Sequence, residues 1–235
     1  MERPIPDALV GQAPIPRWQR LLARLVGRGV DAARRRALAR PRWKAQGVPI
    51  VVALMPAGER KALAQRVANA LGVIARYDAR RMARIRRDLR AVLVWPFVMP
   101  GTAGQYLDDD AICILNPEMV EKWRAIQTAM IIVHEATHAR LRHCAYVPSS
   151  AGRIEQRCKK EEIAFASRLP GSERLQQLLW KEVEAVGSRE YTAAARTSRA
   201  IDHMEREGAS RALLVLLRRI ARLRRPHASP SDQRE

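Results

Sequence analysis

Apolar and polar positions along the chain fall into runs with helical spacing and shorter runs of strand type. Between Trp18 and Val30, the residues Trp18, Leu21, Leu22, Leu25 and Val26 gather on one side of a helix and the arginines on the other. Pro41 and the Gln46-Gly47-Val48-Pro49 stretch break the chain, and Ile50 to Leu54 is a short apolar run suited to a strand. Gly58 to Arg90 is helix-like, with an interruption near Gly72. Ala91 to Phe97 (AVLVWPF) reads as a strand closed by Pro96 and the Pro100-Gly101 turn. Tyr106, Leu107 and three aspartates read as a loop feeding a second strand, Ala111 to Leu115 (AICIL).

Asn116-Pro117 is a helix start, with Asn as N-cap, Pro at the first helical position and Glu118 in the first turn. The spacing predicts one helix from Pro117 to about His143. Its stretch from Ala125 to Val133 is apolar nearly all round, as a buried central helix requires. Val147 to Gly152 reads as a loop. Arg153 to Leu169 is a further helix, stopped by Pro170-Gly171, and the remainder is helical up to a polar tail from Pro226.

Composition narrows the class. The chain has 235 residues, 47% of them hydrophobic and only 5% aromatic, so aliphatic side chains must supply the core. Cys113, Cys144 and Cys158 are odd in number and widely spaced, which argues against a disulfide framework and fits a reducing compartment. The first residues lack a secretory pattern, and no run approaches the ~20 apolar residues that span a bilayer. The expectation is a cytoplasmic protein, or one attached peripherally to a membrane.

The formal charge of +19 is unevenly placed. Arg17 to Lys44 holds ten basic residues against Asp31 alone, and Arg211 to Arg225 six arginines and no acid. From Ala91 to Leu175, ten basic residues balance ten acidic ones. The excess therefore sits on the flanks. An anionic membrane surface or nucleic acid is the partner class such flanks suit, and solvated helical faces are the plainer reading.

The neutral segment carries the chemistry. In His134-Glu135-Ala136-Thr137-His138 the two histidines are four apart, so on a helix they project from one face and can share a metal ion. Glu135 stands beside that face, where it can take a proton from water activated by zinc. A catalytic zinc also needs a third protein ligand. A histidine six residues beyond the motif is one known solution, but that position is Cys144 and His143 is one residue short. A glutamate from the following helix is the other. At 100° per residue, Glu155 and Glu162 lie roughly 20° apart on one edge of the apolar stripe of Ile154, Cys158, Phe165 and Leu169. Glu161 lies on the opposite edge and reads as a solvated charge. Sites of the glutamate type place a small residue three positions after the ligand, where two helices cross closely. Glu155 has Cys158 there, whereas Glu162 has Phe165. Glu155 is therefore the expected third ligand, with Glu162 behind a ligand or in its place. Cys144 and Cys158 read as small buried residues. Tyr191 and His203 are oxyanion candidates that read more simply as packing or surface groups.

On these residues the chain resembles the gluzincins, zincin metallopeptidases with a glutamate ligand. HEATHARL followed by RIEQRCKKEEIAFASRLP is similar to an uncharacterised bacterial family of HExxH metallopeptidases. The resemblance covers roughly Ala91 to Pro170. It implies an α+β, zincin-like fold, mostly helical, with a small sheet packed on the motif helix. It implies a zinc-dependent peptidase with His134 and His138 as ligands, Glu135 as general base and a glutamate on the second helix. The alternatives are a zinc hydrolase of a non-peptide amide or ester and, from a different class, a basic nucleic-acid- or membrane-associated protein with a non-catalytic zincin-like core. An edge strand would hold a peptide substrate by β-augmentation, with Ala111 to Leu115 as the candidate. The chain departs from better-studied gluzincins in the short gap before Glu155 and in having Lys159 where an Asp is usual. The expected organisation is a basic helical extension at 1–45, a catalytic core at 46–175 and C-terminal helices with a polar tail at 176–235.

Overall fold

The computed structural model describes residues 17–96, 102–141, 148–187, 201 and 205. His143, Cys144, Tyr191, His203 and the tail from Pro226 lie outside the described residues, as does the Pro100-Gly101 turn. The chain divides into two units, residues 1–39 and 40–235. In the first, the basic amphipathic pattern forms one helix, α1 (Arg17–Leu38). Arg35 and Arg36 in its last turn complement the negative end of the helix dipole.

The second unit is α+β. Its mixed sheet has five strands: β1 (Trp43–Ala45), β2 (Val48–Val52), β3 (Ala91–Val94), β4 (Gly104–Leu107) and β5 (Ile112–Leu115). They lie in the order β1-β2-β3-β5-β4. β1 and β2 form a hairpin whose two turn residues, Gln46 and Gly47, have φ of 49° and 83°. Such left-handed turns match strand twist, and glycine adopts them without strain. The hairpin draws Trp43–Ala45 into the sheet, so the core begins before the boundary expected at residue 46. Pro49 lacks an N–H and is tolerated in β2 because its neighbour there is a three-residue edge strand.

β3 runs parallel to β2 and to β5, with Val92 paired to Ile50 on one side and Cys113 on the other. Every residue of β3 and β5 is buried, as central strands covered on both faces must be. β4 pairs antiparallel with β5, Tyr106 opposite Cys113. The expectation for this region is thereby corrected. Ala111–Leu115 is flanked on both sides, and the segment expected as a loop is the edge strand. Three of its four residues are half-buried, so it lacks the apolar run that marks an interior strand.

Helix boundaries follow local chemistry that hydrophobic spacing alone does not register. α2 (Ala57–Tyr77) runs unbroken through Gly72. The break comes at Asp78, whose side chain accepts from Arg81 N–H and caps α3 (Ala79–Asp88). Asn116 accepts from Glu118 N–H at 3.0 Å and starts α4 (Pro117–Lys122), as its sequence predicts. The single helix expected from Pro117 is two, because Trp123 is extended and a new helix, α5 (Ala125–Leu141), starts after it. Gln127 reaches back to accept from Arg124 N–H at 3.0 Å, one half of a capping box. α6 (Pro148–Ala166) begins five residues ahead of its expected start, with Pro148 at its first position. Past its end, Ser172 Oγ donates to Ala166 O at 2.5 Å, and α7 (Glu173–Gly187) follows.

The core lies between one sheet face and the helices. Ile50, Val52, Val92, Val94 and Leu115 meet Val67, Leu71 and Ile74 of α2 and Ile132 and Val133 of α5. α5 is the central helix, packed by α2, α3, α6, β4 and β5. Leu179 and Val183 of α7 join the same cluster, so the boundary expected at residue 175 falls inside the core. Among the described residues, no helix is long and apolar enough to cross a membrane.

Candidate metal centre

A helix packed by elements on several sides buries most of what its middle turns carry. His134 and Glu135 are consequently buried with the apolar residues around them. α6 crosses α5 closely, with Ala151 and Cys158 fully buried along it. Glu155, one turn before Cys158, is thereby brought to the two histidines.

Donor groups of three residues converge. His134 Nε2 and His138 Nε2 are 3.1 Å apart. Glu155 Oε2 lies 3.3 Å from His134 Nε2, and Glu155 Oε1 lies 3.6 Å from His138 Nε2. A tetrahedral zinc with N and O ligands at about 2.0–2.2 Å has donor-to-donor edges of roughly 3.3–3.6 Å. The two nitrogen-to-oxygen spans, one to each oxygen of Glu155, match that range, and the nitrogen-to-nitrogen span is slightly shorter.

Glu162 stands elsewhere. Its Oε1 is 2.6 Å from His134 Nδ1, on the far side of the imidazole. A carboxylate there accepts the Nδ1 proton, so when the ring gives up its second proton to serve as a ligand, the lone pair it exposes is that of Nε2, on the side of Glu155 and His138. Lys159 Nζ lies 3.0 Å from the same oxygen and 2.8 Å from Glu182 Oε2 of α7. Burial opposes ionisation of Glu162, but His134 and Lys159 hold its pKa below the ordinary carboxylate value.

The electrostatics favour a cation at this point. Burial works against charge on His134, yet hydrogen bonds with Glu155 and Glu162 and the nearby Glu135 carboxylate raise its pKa to about 10. Oxygen and imidazole donors and three carboxylates, with nitrogen-to-oxygen spans of 3.3 and 3.6 Å, fit a divalent ion of the zinc type. Cys158 adds a sulfur: its Sγ and the ring nitrogens of His134 and His138 all lie within 4.8 Å of one another.

Glu135 faces the sheet edge. Burial pushes its carboxyl up to about 7, with the His134 charge and a hydrogen bond from Tyr106 N–H pulling the other way. A base near neutrality is suited to proton transfer at neutral pH. The donor is a backbone amide of β4, and Gly104 is what lets β4 come so near. A Cβ there would stand 2.6 Å from Ile131 Cγ2 and 3.1 Å from Ile114 O. Tyr106 and Gly104 were not singled out from the sequence. A glycine between Pro100-Gly101 and an apolar run is a signal for close backbone approach.

Glu161 corrects an expectation. It is enclosed, not solvated: Oε2 accepts from Arg81 at 2.7 Å and Oε1 from Arg140 at 2.9 Å, with Arg157 at 3.3 Å. Burial opposes its charge, but Arg81 and Arg140 hold its pKa down at about 2. Arg81 also binds Asp78, which pairs with Arg168 at 3.2 Å. Glu161 thus ties α3, α5 and α6 together, away from the histidines. Cys113 and Cys158 are buried, and burial and nearby carboxylates push both thiols well up, so neither is poised as a nucleophile.

Compared with known proteins, the chain matches no family model, no curated protein and no solved structure.

Proposed function

We propose that this chain is a zinc-dependent hydrolase of the gluzincin-like type, with peptides as substrates. The observation that carries the reading is the donor triangle of His134, His138 and Glu155 with Glu162 on the opposite nitrogen of His134. His134, His138 and Glu155 would hold the metal, and Glu162 would fix the tautomer and orientation of His134. Bound there, zinc supplies a Lewis acid that polarises a carbonyl and acidifies water. Glu135 accepts the proton of the attacking water and returns it to the leaving nitrogen. Tyr106 N–H holds the carboxylate in place, and the low-dielectric surroundings keep its basicity near neutrality.

The edge strand favours a peptide over a small amide or ester. Among the described residues β4 is the last strand of the sheet, and an extended peptide could lie along it near the base. The basic α1 would serve recruitment to an anionic surface and takes no part in the chemistry.

The reading is tested by elemental analysis of the purified chain beside His134→Ala, Glu155→Ala and Glu162→Ala, and by cleavage of a fluorogenic peptide library. About one zinc per chain is expected, absent in His134→Ala, while Glu155→Ala should lose activity. Glu135→Gln should keep the metal and lose activity by about 10²–10⁴-fold. A folded wild type that stays metal-free after incubation with zinc would overturn the proposal.

A further inference from the structure

α6 carries two donors toward the histidine pair on successive turns. One is the Glu155 carboxylate. The other is Cys158 Sγ, fully buried and within 4.8 Å of the ring nitrogens of His134 and His138. The sequence reading makes Cys158 a small residue at a helix crossing, and packing alone is met equally well by alanine. A thiol differs from alanine in what it can bind. With Zn–S near 2.3 Å and Zn–N near 2.0 Å, the nitrogen-to-sulfur edge of a tetrahedral zinc is roughly 3.5 Å. With the sulfur and one ring nitrogen of each histidine all within 4.8 Å of one another, the edges exceed the tetrahedral value by at most about 1.3 Å, a gap within reach of side-chain adjustment.

We propose that Cys158 is an exchange ligand for the same metal, so that zinc is held by His134 and His138 with either Glu155 or Cys158. The inference rests on the metal-centre reading and adds a second, resting form to it. In forming that bond the thiol gives up its proton to solvent and Sγ donates an electron pair to the metal. A metal ion supports this step even where burial keeps the free thiol protonated, because a coordinating thiol is deprotonated outright. The two forms differ in chemistry. Thiolate is softer and donates more charge than carboxylate, so the sulfur-bound ion is a poorer Lewis acid and the site prefers zinc to harder ions such as manganese. Glu155, once released, keeps its place beside the imidazoles and can return. Helix α6 thereby sets how electrophilic the metal is without any movement of α5.

Cobalt(II) is the probe, titrated into the full chain under reducing conditions and followed by absorption. The expected spectrum has visible bands of a tetrahedral ion and an intense near-ultraviolet charge-transfer band from sulfur. Cys158→Ala should remove the sulfur band, keep the visible bands and weaken zinc binding by about tenfold or more. Glu155→Gln should retain the sulfur band. Cys113→Ala should also retain it, since Cys113 lies on β5 near Glu135. Cobalt bound with no sulfur band in the wild type, or a band that survives Cys158→Ala, overturns the exchange and leaves the metal centre standing. A folded wild type that binds neither cobalt nor zinc overturns both.

Discussion

Glu155 and Glu162 on one side of α6, and Glu161 on the other, are the same residue type within two turns of one helix, yet they do opposite work. On the first side the partners are imidazoles, with Lys159 beside Glu162, and the carboxylates concentrate negative charge where a cation can sit. On the second side the partners are the guanidinia of Arg81 and Arg140, and the charge is already neutralised by hydrogen bonds. A carboxylate's role is set by what the opposing helix presents, since guanidinia make it part of a structural clamp and imidazoles make it part of a donor cluster. The helix face decides which of the two it meets.

Exchanging the two sides should break the comparison most sharply at the ligand. In a Cys158→Ala background, where no sulfur can take its place, Glu155→Gln is expected to lower zinc affinity by about 10²-fold or more, measured by competition with a chelator, while the unfolding temperature without metal stays unchanged. Glu162→Gln should cost less, roughly 10–100-fold in zinc affinity, because it orients a ligand without being one. Glu161→Gln should invert the pattern. Zinc affinity stays as in the wild type, and stability falls by about 2 kcal/mol as Arg81 and Arg140 lose their anion. For a unit of this size that is a drop of about 5 °C in unfolding temperature.

The smallest effect sharpens the same contrast by pH. Glu161 has a folded pKa of about 2, below its ordinary value of 4.5. The unfolded chain therefore binds its proton first on acidification, and folding stability declines as pH falls. The contribution is complete above about pH 4.5 and lost by about pH 2. Acid titration of wild type against Glu161→Gln should show two stability curves that converge across this window. Curves that stay parallel through it would show that the arginine clamp contributes nothing.

Legibility in the sequence follows the range of the forces involved. The motif helix, its apolar surroundings and the Asn116-Pro117 start are local patterns, and the structure contains each of them. The split at Trp123 was also local, but its signal is one side chain, Gln127, inside a long apolar run that dominates the pattern. β4 was missed because an edge strand four residues long has little apolar periodicity to show. The fate of Glu161 could not be read at all. Its face was placed correctly, on the edge opposite Glu155 and Glu162, but its partner Arg81 is 80 residues away. Helical angles tell which side a residue is on, and only the tertiary fold tells what waits there.

The sequence separations across α6 also imply an order of events in time. The metal-facing side joins groups 28 residues apart, His134 and Glu162, within a pair of consecutive helices. The arginine side closes a loop of 80 residues between α3 and α6. Short loops close sooner and at lower entropic cost than long ones. The helical hairpin that gathers the histidines can therefore form early, ahead of the parallel pairing of β2, β3 and β5, and the Arg81–Glu161 contact seals the domain afterwards. Zinc present during refolding would then have a half-built cradle to enter before the rest of the domain closes around it.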